Sequence, residues 1–176
     1  MTAAGVRGLH DGGIIATIKH FPGHGDTTLD SHRGIPTVTR SRGELVAIDL
    51  APFKQGINAG TDMVMTSHII FTALDPENPA TLSSIILQEI LREELGFDGV
   101  IVSDSMNMQA MLKNYTPADA AIRAFNAGVD LLMLAEEHYS HNAQQYLEQQ
   151  TSLIRTVKAA VESGQLPLTR IDDAVG

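Results

Sequence analysis

Two stretches decide the architecture: "NAGTDMVM" at residues 58–65 and "NAGVDLLM" at residues 126–133. In each, a glycine closes one segment and an aspartate opens a run of large apolar side chains. A helix that exits on glycine and feeds a buried strand is the joint of a βα unit, so its recurrence predicts such units side by side around one sheet. Working outward, four apolar runs stand out, "GIIATIKHF" (13–21), "DMVMTSHII" (62–70), "GVIVSDSM" (99–106) and "VDLLMLAE" (129–136). Each reads as a strand buried on both faces, the habit of a parallel sheet.

Helical signals fill the intervals. Ser41 and Glu44 have capping-box spacing ahead of Leu45, Ile48 and Phe53, and Pro52 is expected to kink or divide that helix. "SSIILQEILREELG" (83–96) is amphipathic and stops at a glycine, while Thr116, Pro117 and Gly128 mark the cap, first turn and exit of another helix. Strand and helix therefore alternate, which leaves an open doubly wound sheet or a (β/α) barrel. No strand is followed by the Gly-x-Gly-x-x-Gly fingerprint of a dinucleotide fold, which favours the barrel. A complete barrel has eight strands in about 250 residues; this chain has 176 residues and offers four strands. The expected fold class is α/β, a partial TIM barrel, as one domain over residues 1–176.

Composition narrows the function. The chain is 43% hydrophobic, enough for a soluble globular domain with a core, and its formal charge of −9 is spread without acidic or basic blocks. That disfavours nucleic acid and anionic membrane as partners. There is no cysteine, so disulfides and thiolate metal sites are unavailable. The opening "MTAAGVRGLHDGG" has no basic and apolar leader pattern, and no run reaches the length of a membrane span. A cytoplasmic location is expected if Met1 is the true start; missing upstream sequence would leave a secreted or lipid-anchored protein open.

Polar residues fall at the carboxyl ends of the expected strands: Lys19 and His20, then Ser67 and His68, then Ser103 and Asp104, with Glu136 after the fourth. In barrels those ends converge on the face that carries chemistry. The alternative for Ser67, His68 and Glu136 is a strand-end group that hydrogen-bonds a neighbouring loop. Asp104 is the sharper signal, because a carboxylate on a buried strand needs compensation. The loop leaving the first strand, "KHFPGHGDTTLDSH" (19–32), holds Pro22, Gly23 and Gly25, which exclude a continuing helix. Asp30 and His32 are two apart, so in an extended segment the carboxylate can orient the imidazole for proton transfer. A metal site is the rival reading of His20, His24, Asp26, Asp30 and His32. No helical His-x-x-x-His register supports it, and Lys19 opposes a cation, so no metal or cofactor is expected.

With these residues in view, "KHFPGHGDTTLDSHRGIPTV" (19–38) and "GFDGVIVSDSMNM" (96–108) resemble the β-N-acetylhexosaminidase branch of glycoside hydrolase family three. The resemblance runs nearly end to end. It implies a (β/α)8 barrel with this chain as its C-terminal half, strands five to eight. It implies Asp104 as the nucleophile, Asp30 and His32 as an acid/base dyad, and Lys19 and His20 as sugar-binding residues; His24, in the loop, and His68, at a strand end, are expected as further substrate contacts. The expected reaction is retaining hydrolysis of β-linked N-acetylglucosamine, in a glycan or muropeptide. The β-glucosidase branch shares the Lys-His pair and the Ser-Asp nucleophile but lacks the Pro-Gly-His-Gly to Asp-Ser-His loop.

The relatives' first four strands are missing here. The chain is therefore expected to be a fragment, a half-barrel that pairs with a missing N-terminal half or with itself, or a product that binds sugar or muropeptide without turnover. Strand alternation should aim side chains such as Ile15, Val64, Val102 and Leu132, or their neighbours, toward the absent wall.

Overall fold

The computed structural model describes residues 1–25, 27, 34–135 and 143–176. Helix α1 (Thr2–Asp11) precedes β1 (Thr17–Phe21); β2 (Thr37–Val38) and α2 (Arg42–Glu44) follow. The helix continues through a wide turn, Leu45–Asp49, into α3 (Leu50–Asn58). Next come β3 (Met63–Thr66), β4 (Ile70–Phe71), a short 3-10 turn at Ala80–Leu82, a wide-wound helix at Ile85–Glu94, and β5 (Val100–Val102). Helices α4 (Gln109–Leu112), α5 (Pro117–Ala127), α6 (Ala143–Glu162) and α7 (Leu168–Val175) complete the chain. The main sheet is parallel in the order β1-β3-β5, and β2 pairs with β4 in a separate parallel ribbon. The expected α/β class with parallel strands holds, and these strands lie in sequence order with no reversal.

Local signals set the helices as read. Ser41 and Glu44 form a reciprocal capping box, with Ser41 N donating to Glu44 Oε2 at 2.9 Å and Glu44 N donating to Ser41 Oγ at 3.4 Å. Thr116 Oγ1 accepts from Asp119 N at 3.2 Å, Pro117 occupies the first turn, and Gly128 exits α5 at φ 116°. Pro52 does not divide its helix. The turn before it winds wide, with Leu50 N bonded to Leu45 O, which absorbs the missing donor without ending the helix.

Two strand expectations are corrected. The sheet is open over part of one face rather than buried on both: Ile18, Phe21, Val64 and Ile101 lie under the helices, whereas Ile15, Val100 and Leu131 are 67, 37 and 47% exposed, with Val102 on their side at 2%. Register pairs Thr17 with Met63 and Met63 with Val100, so these open positions share a face. Val64 is on the helix side, not on the open face as expected, because alternation places Met63 and Met65 there instead. The fourth apolar run is also shorter than read. It joins the sheet at the Val102–Leu131 bridge, with Leu131 N donating to Ile101 O at 3.1 Å and Ser103 N donating to Leu131 O at 2.9 Å.

The core lies between the sheet and its helices. Phe21 and Phe53 meet edge to face at 5.1 Å, and Ile86, Leu87, Ile90, Leu91 and Met111 close around them. A smaller cluster of Ile122, Ala160 and Leu166 seats the last two helices on α5. The two aspartates of the sequence repeat have equivalent jobs. Asp62 Oδ2 accepts from Ala16 N at 2.7 Å, and Asp130 Oδ2 accepts from Ile101 N at 2.8 Å, so each carboxylate ties the start of its strand to the backbone of the strand before it. Asp130 also pairs with Arg92 at 2.7 Å and with Arg170, at the edge of a cleft of about 620 Å³. That cleft opens where the strands begin, away from the histidines.

Candidate active site

The opposite ends of the strands gather the ionisable residues. Lys19 and His20 end β1, and the Lys19–His20 and Phe21–Pro22 peptide bonds are both cis. Lys19 is exposed, while the His20 side chain retains 24% exposure. Its Nε2 lies 3.6 Å from Asp104 Oδ2, a contact just beyond hydrogen-bond range. The His24 ring stands edge-on to His20 at 5.7 Å, and His24 Nδ1 is 3.2 Å from Thr27 Oγ1. Burial pushes the His20 imidazole below its ordinary pKa against the pull of Asp104, and Lys19, His24 and His68 push it the same way as burial. The ring therefore takes up a proton less readily than an ordinary imidazole, although a carboxylate stands beside it.

Asp104 follows β5 on a turn held by its neighbours. Its Oδ1 accepts from Ser105 N at 2.8 Å, its side chain is 20% exposed, and Oδ2 faces His20. Ser103 Oγ accepts from Met133 N at 2.9 Å, and Ser105 Oγ donates to Ala135 O at 2.7 Å, so the fourth run grips the turn on both sides. Ser67 behaves as the strand-end alternative supposed, its N and Oγ both donating to Phe21 O at 2.9 Å. His68 is 1% exposed, with Nδ1 at 2.9 Å from Thr81 Oγ1 and Nε2 at 2.9 Å from Ser105 O. Both ring nitrogens thus face protein atoms, which departs from the substrate contact expected of it. Asp30 and His32 lie outside the described residues, as do Asp26 and Glu136.

Both flanks of the loop that carries Asp30 and His32 meet one buried carboxylate, which sequence reasoning missed. Asp49, 8% exposed, pairs with Arg40 at 2.8 Å after β2 and abuts Gly23 after β1. A Cβ on Gly23 would sit 2.9 Å from Asp49 Cβ, at a backbone φ of 153°. Thr81 and Ser105 were also missed; a threonine in "PATLSS" carries no sequence signal of its own. Among the described residues, no group of three or more His, Cys, Asp or Glu side chains converges to hold a metal ion, and no helix is long and apolar enough to cross a membrane.

A parallel α/β sheet that presents lysine, histidine and aspartate at its strand ends has known counterparts. The chain matches the Glycosyl hydrolase family 3 N terminal domain over residues 1–176, and it belongs to that family. It is 36% identical over 184 residues to Beta-hexosaminidase A of Pseudoalteromonas piscicida, covering 96% of this chain and 31% of that protein. A glycoside hydrolase family 3 beta-N-acetylglucosaminidase from Paenibacillus sp. str. FPU-7 superposes with a TM-score of 0.90 at 44% identity, covering 99% of this chain and 32% of that one. Zn-bound CbsA from Thermotoga neapolitana superposes with a TM-score of 0.86 at 34% identity, covering 96% and 35%. The chain thus spans about a third of the length of these relatives.

Proposed function

We propose that this chain carries the reacting groups of a retaining β-N-acetylhexosaminidase and forms strands five to eight of its catalytic barrel. The observation that carries the reading is the Asp104 carboxylate, held by Ser105 N on one oxygen and turned toward His20 at 3.6 Å with the other, on the end of a parallel strand. The Asp104 oxygen attacks the anomeric carbon while the glycosidic C–O bond breaks, and His32 gives its proton to the departing oxygen. Water then returns a proton to His32 as its oxygen displaces the ester, which releases Asp104 and retains configuration. Asp30 orients His32, and Lys19, His20 and His24 bind the sugar hydroxyls. The relatives' names support N-acetylglucosamine at the cleaved bond, and a muropeptide is the natural form we favour. Most retaining glycosidases place two carboxyl groups about 5 to 5.5 Å apart; a histidine acid/base departs from that plan.

The test is Asp104→Ala in a polypeptide that completes the barrel. Turnover of a nitrophenyl N-acetylglucosaminide should vanish and azide should partly restore it. A near-normal rate without azide would remove Asp104 from this role, and a preference for the glucoside would assign the β-glucosidase branch. A second reading has its own support: the open sheet face at Ile15, Val100 and Leu131 marks a unit that is incomplete alone. On that reading the isolated chain binds the sugar or muropeptide without turning it over.

A further inference from the structure

We infer that His68 is a positioning residue, which aims the Asp104 carboxylate by holding the Ser105 carbonyl and with it the turn whose amide grips Asp104. The inference rests on the reading of Asp104 as nucleophile and deepens it. The carbonyl oxygen of Ser105 can only accept a hydrogen bond, so His68 Nε2, 2.9 Å away, carries a proton in either charge state of the ring. The ring cannot swing to another partner, because its Nδ1 meets Thr81 Oγ1 at 2.9 Å and that hydroxyl is itself held by Thr66 Oγ1 at 2.8 Å. On the other side of the same residue, Ser105 N donates to Asp104 Oδ1 at 2.8 Å, while Ser105 Oγ donates to Ala135 O at 2.7 Å.

Ser105 is thus bonded at its amide, its carbonyl and its hydroxyl, to three different parts of the chain. The carbonyl is held by Met108 N at 3.1 Å as well as by a histidine that is 1% exposed, so together with the hydroxyl bond it fixes the Cα from which the amide reaches the carboxylate oxygen. The second oxygen, Oδ2, is left pointing at His20 and the open end of the strands. A donor fixed before reaction needs no reorganisation when the carboxylate attacks. Without the His68 bond the Ser105 carbonyl keeps only the bond from Met108 N at 3.1 Å, so the turn can shift, and the attacking oxygen loses its aim while the sugar-binding residues stay in place.

Two substitutions separate this role from simple packing. His68→Gln can place its amide nitrogen near the Nε2 position and keep the bond to Ser105, whereas His68→Asn reaches only toward Thr81. In a polypeptide that completes the barrel, the Asn variant should lose about 100-fold in kcat, the scale of a misplaced reacting group, with KM little changed. The Gln variant should keep most of its kcat. A second readout needs no turnover: hydrogen exchange of the Ser105 amide, followed by NMR, should be slow in the wild type and the Gln variant and clearly faster in the Asn variant. An Asn variant with normal kcat, or an amide that exchanges equally slowly in all three, would overturn the inference. Should the Asn variant not fold, a folded Gln variant that loses kcat and the amide protection would overturn it as well. A wild type inactive on every N-acetylglucosaminide would sink the hydrolase reading instead, and the amide exchange would still decide the role of His68.

Discussion

His20 Nε2 lies 3.6 Å from Asp104 Oδ2, yet burial outweighs the carboxylate and holds the imidazole below its ordinary pKa. A histidine depressed on folding binds its proton more readily in the unfolded chain. Stability should therefore be full above about pH 6.5 and fall as pH drops below it, until the folded ring itself protonates. His20→Gln should flatten that part of the profile, read as the urea midpoint against pH. Parallel profiles for the two proteins would show that His20 does not contribute.

The acid/base dyad is separable from a metal by leaving-group dependence. His32→Ala should slow a poor leaving group such as an alkyl N-acetylglucosaminide far more than a nitrophenyl one, which departs without protonation. Asp30→Asn should give a milder form of the same pattern. A chelator should leave the rate unchanged; loss of activity with EDTA and recovery with a divalent ion would favour the histidine and aspartate cluster as a metal site.

The repeat aspartates predict unequal costs. Asp130 is 8% exposed in its side chain and holds Arg92, Arg170 and the Ile101 amide at once. Asp130→Ala strands two guanidinium groups and should cost about 3 to 5 kcal/mol in denaturant unfolding. Asp62 makes the equivalent backbone bond to Ala16 but is paired at the surface with His10, so Asp62→Ala should cost clearly less. Equal losses would refute the distinction.

The open face of the sheet predicts a marginal monomer. Leaving large apolar side chains such as Ile15 and Leu131 wet forfeits about 1.5 to 3 kcal/mol each, against a typical total of about 5 to 15 kcal/mol. The isolated chain should bind a hydrophobic dye, melt with poor cooperativity, and self-associate in size exclusion with light scattering. A monodisperse monomer that melts sharply and excludes the dye would show that this face needs no partner.

What the sequence determined by itself was local. The Ser41–Glu44 box and the Thr116, Pro117 and Gly128 sequence act within a few residues, so their chemistry specifies helix ends wherever the chain goes. The repeat likewise located the joints before β3 and the fourth run, and strand ends carrying Lys19, His20 and Asp104 were readable from apolar runs that stop on polar residues. Tertiary structure decided what those groups face. Asp62 and Asp130 reach backbone amides 46 and 29 positions away, and His68 reaches a carbonyl 37 positions away. A carboxylate or an imidazole carries no mark in sequence of which distant atom it will meet, because that partner is brought near only when helices cover one side of the sheet. The same one-sided cover explains why apolar runs that read as buried on both faces leave Ile15, Val100 and Leu131 open: hydrophobicity says that a face wants burial, and only packing supplies the wall.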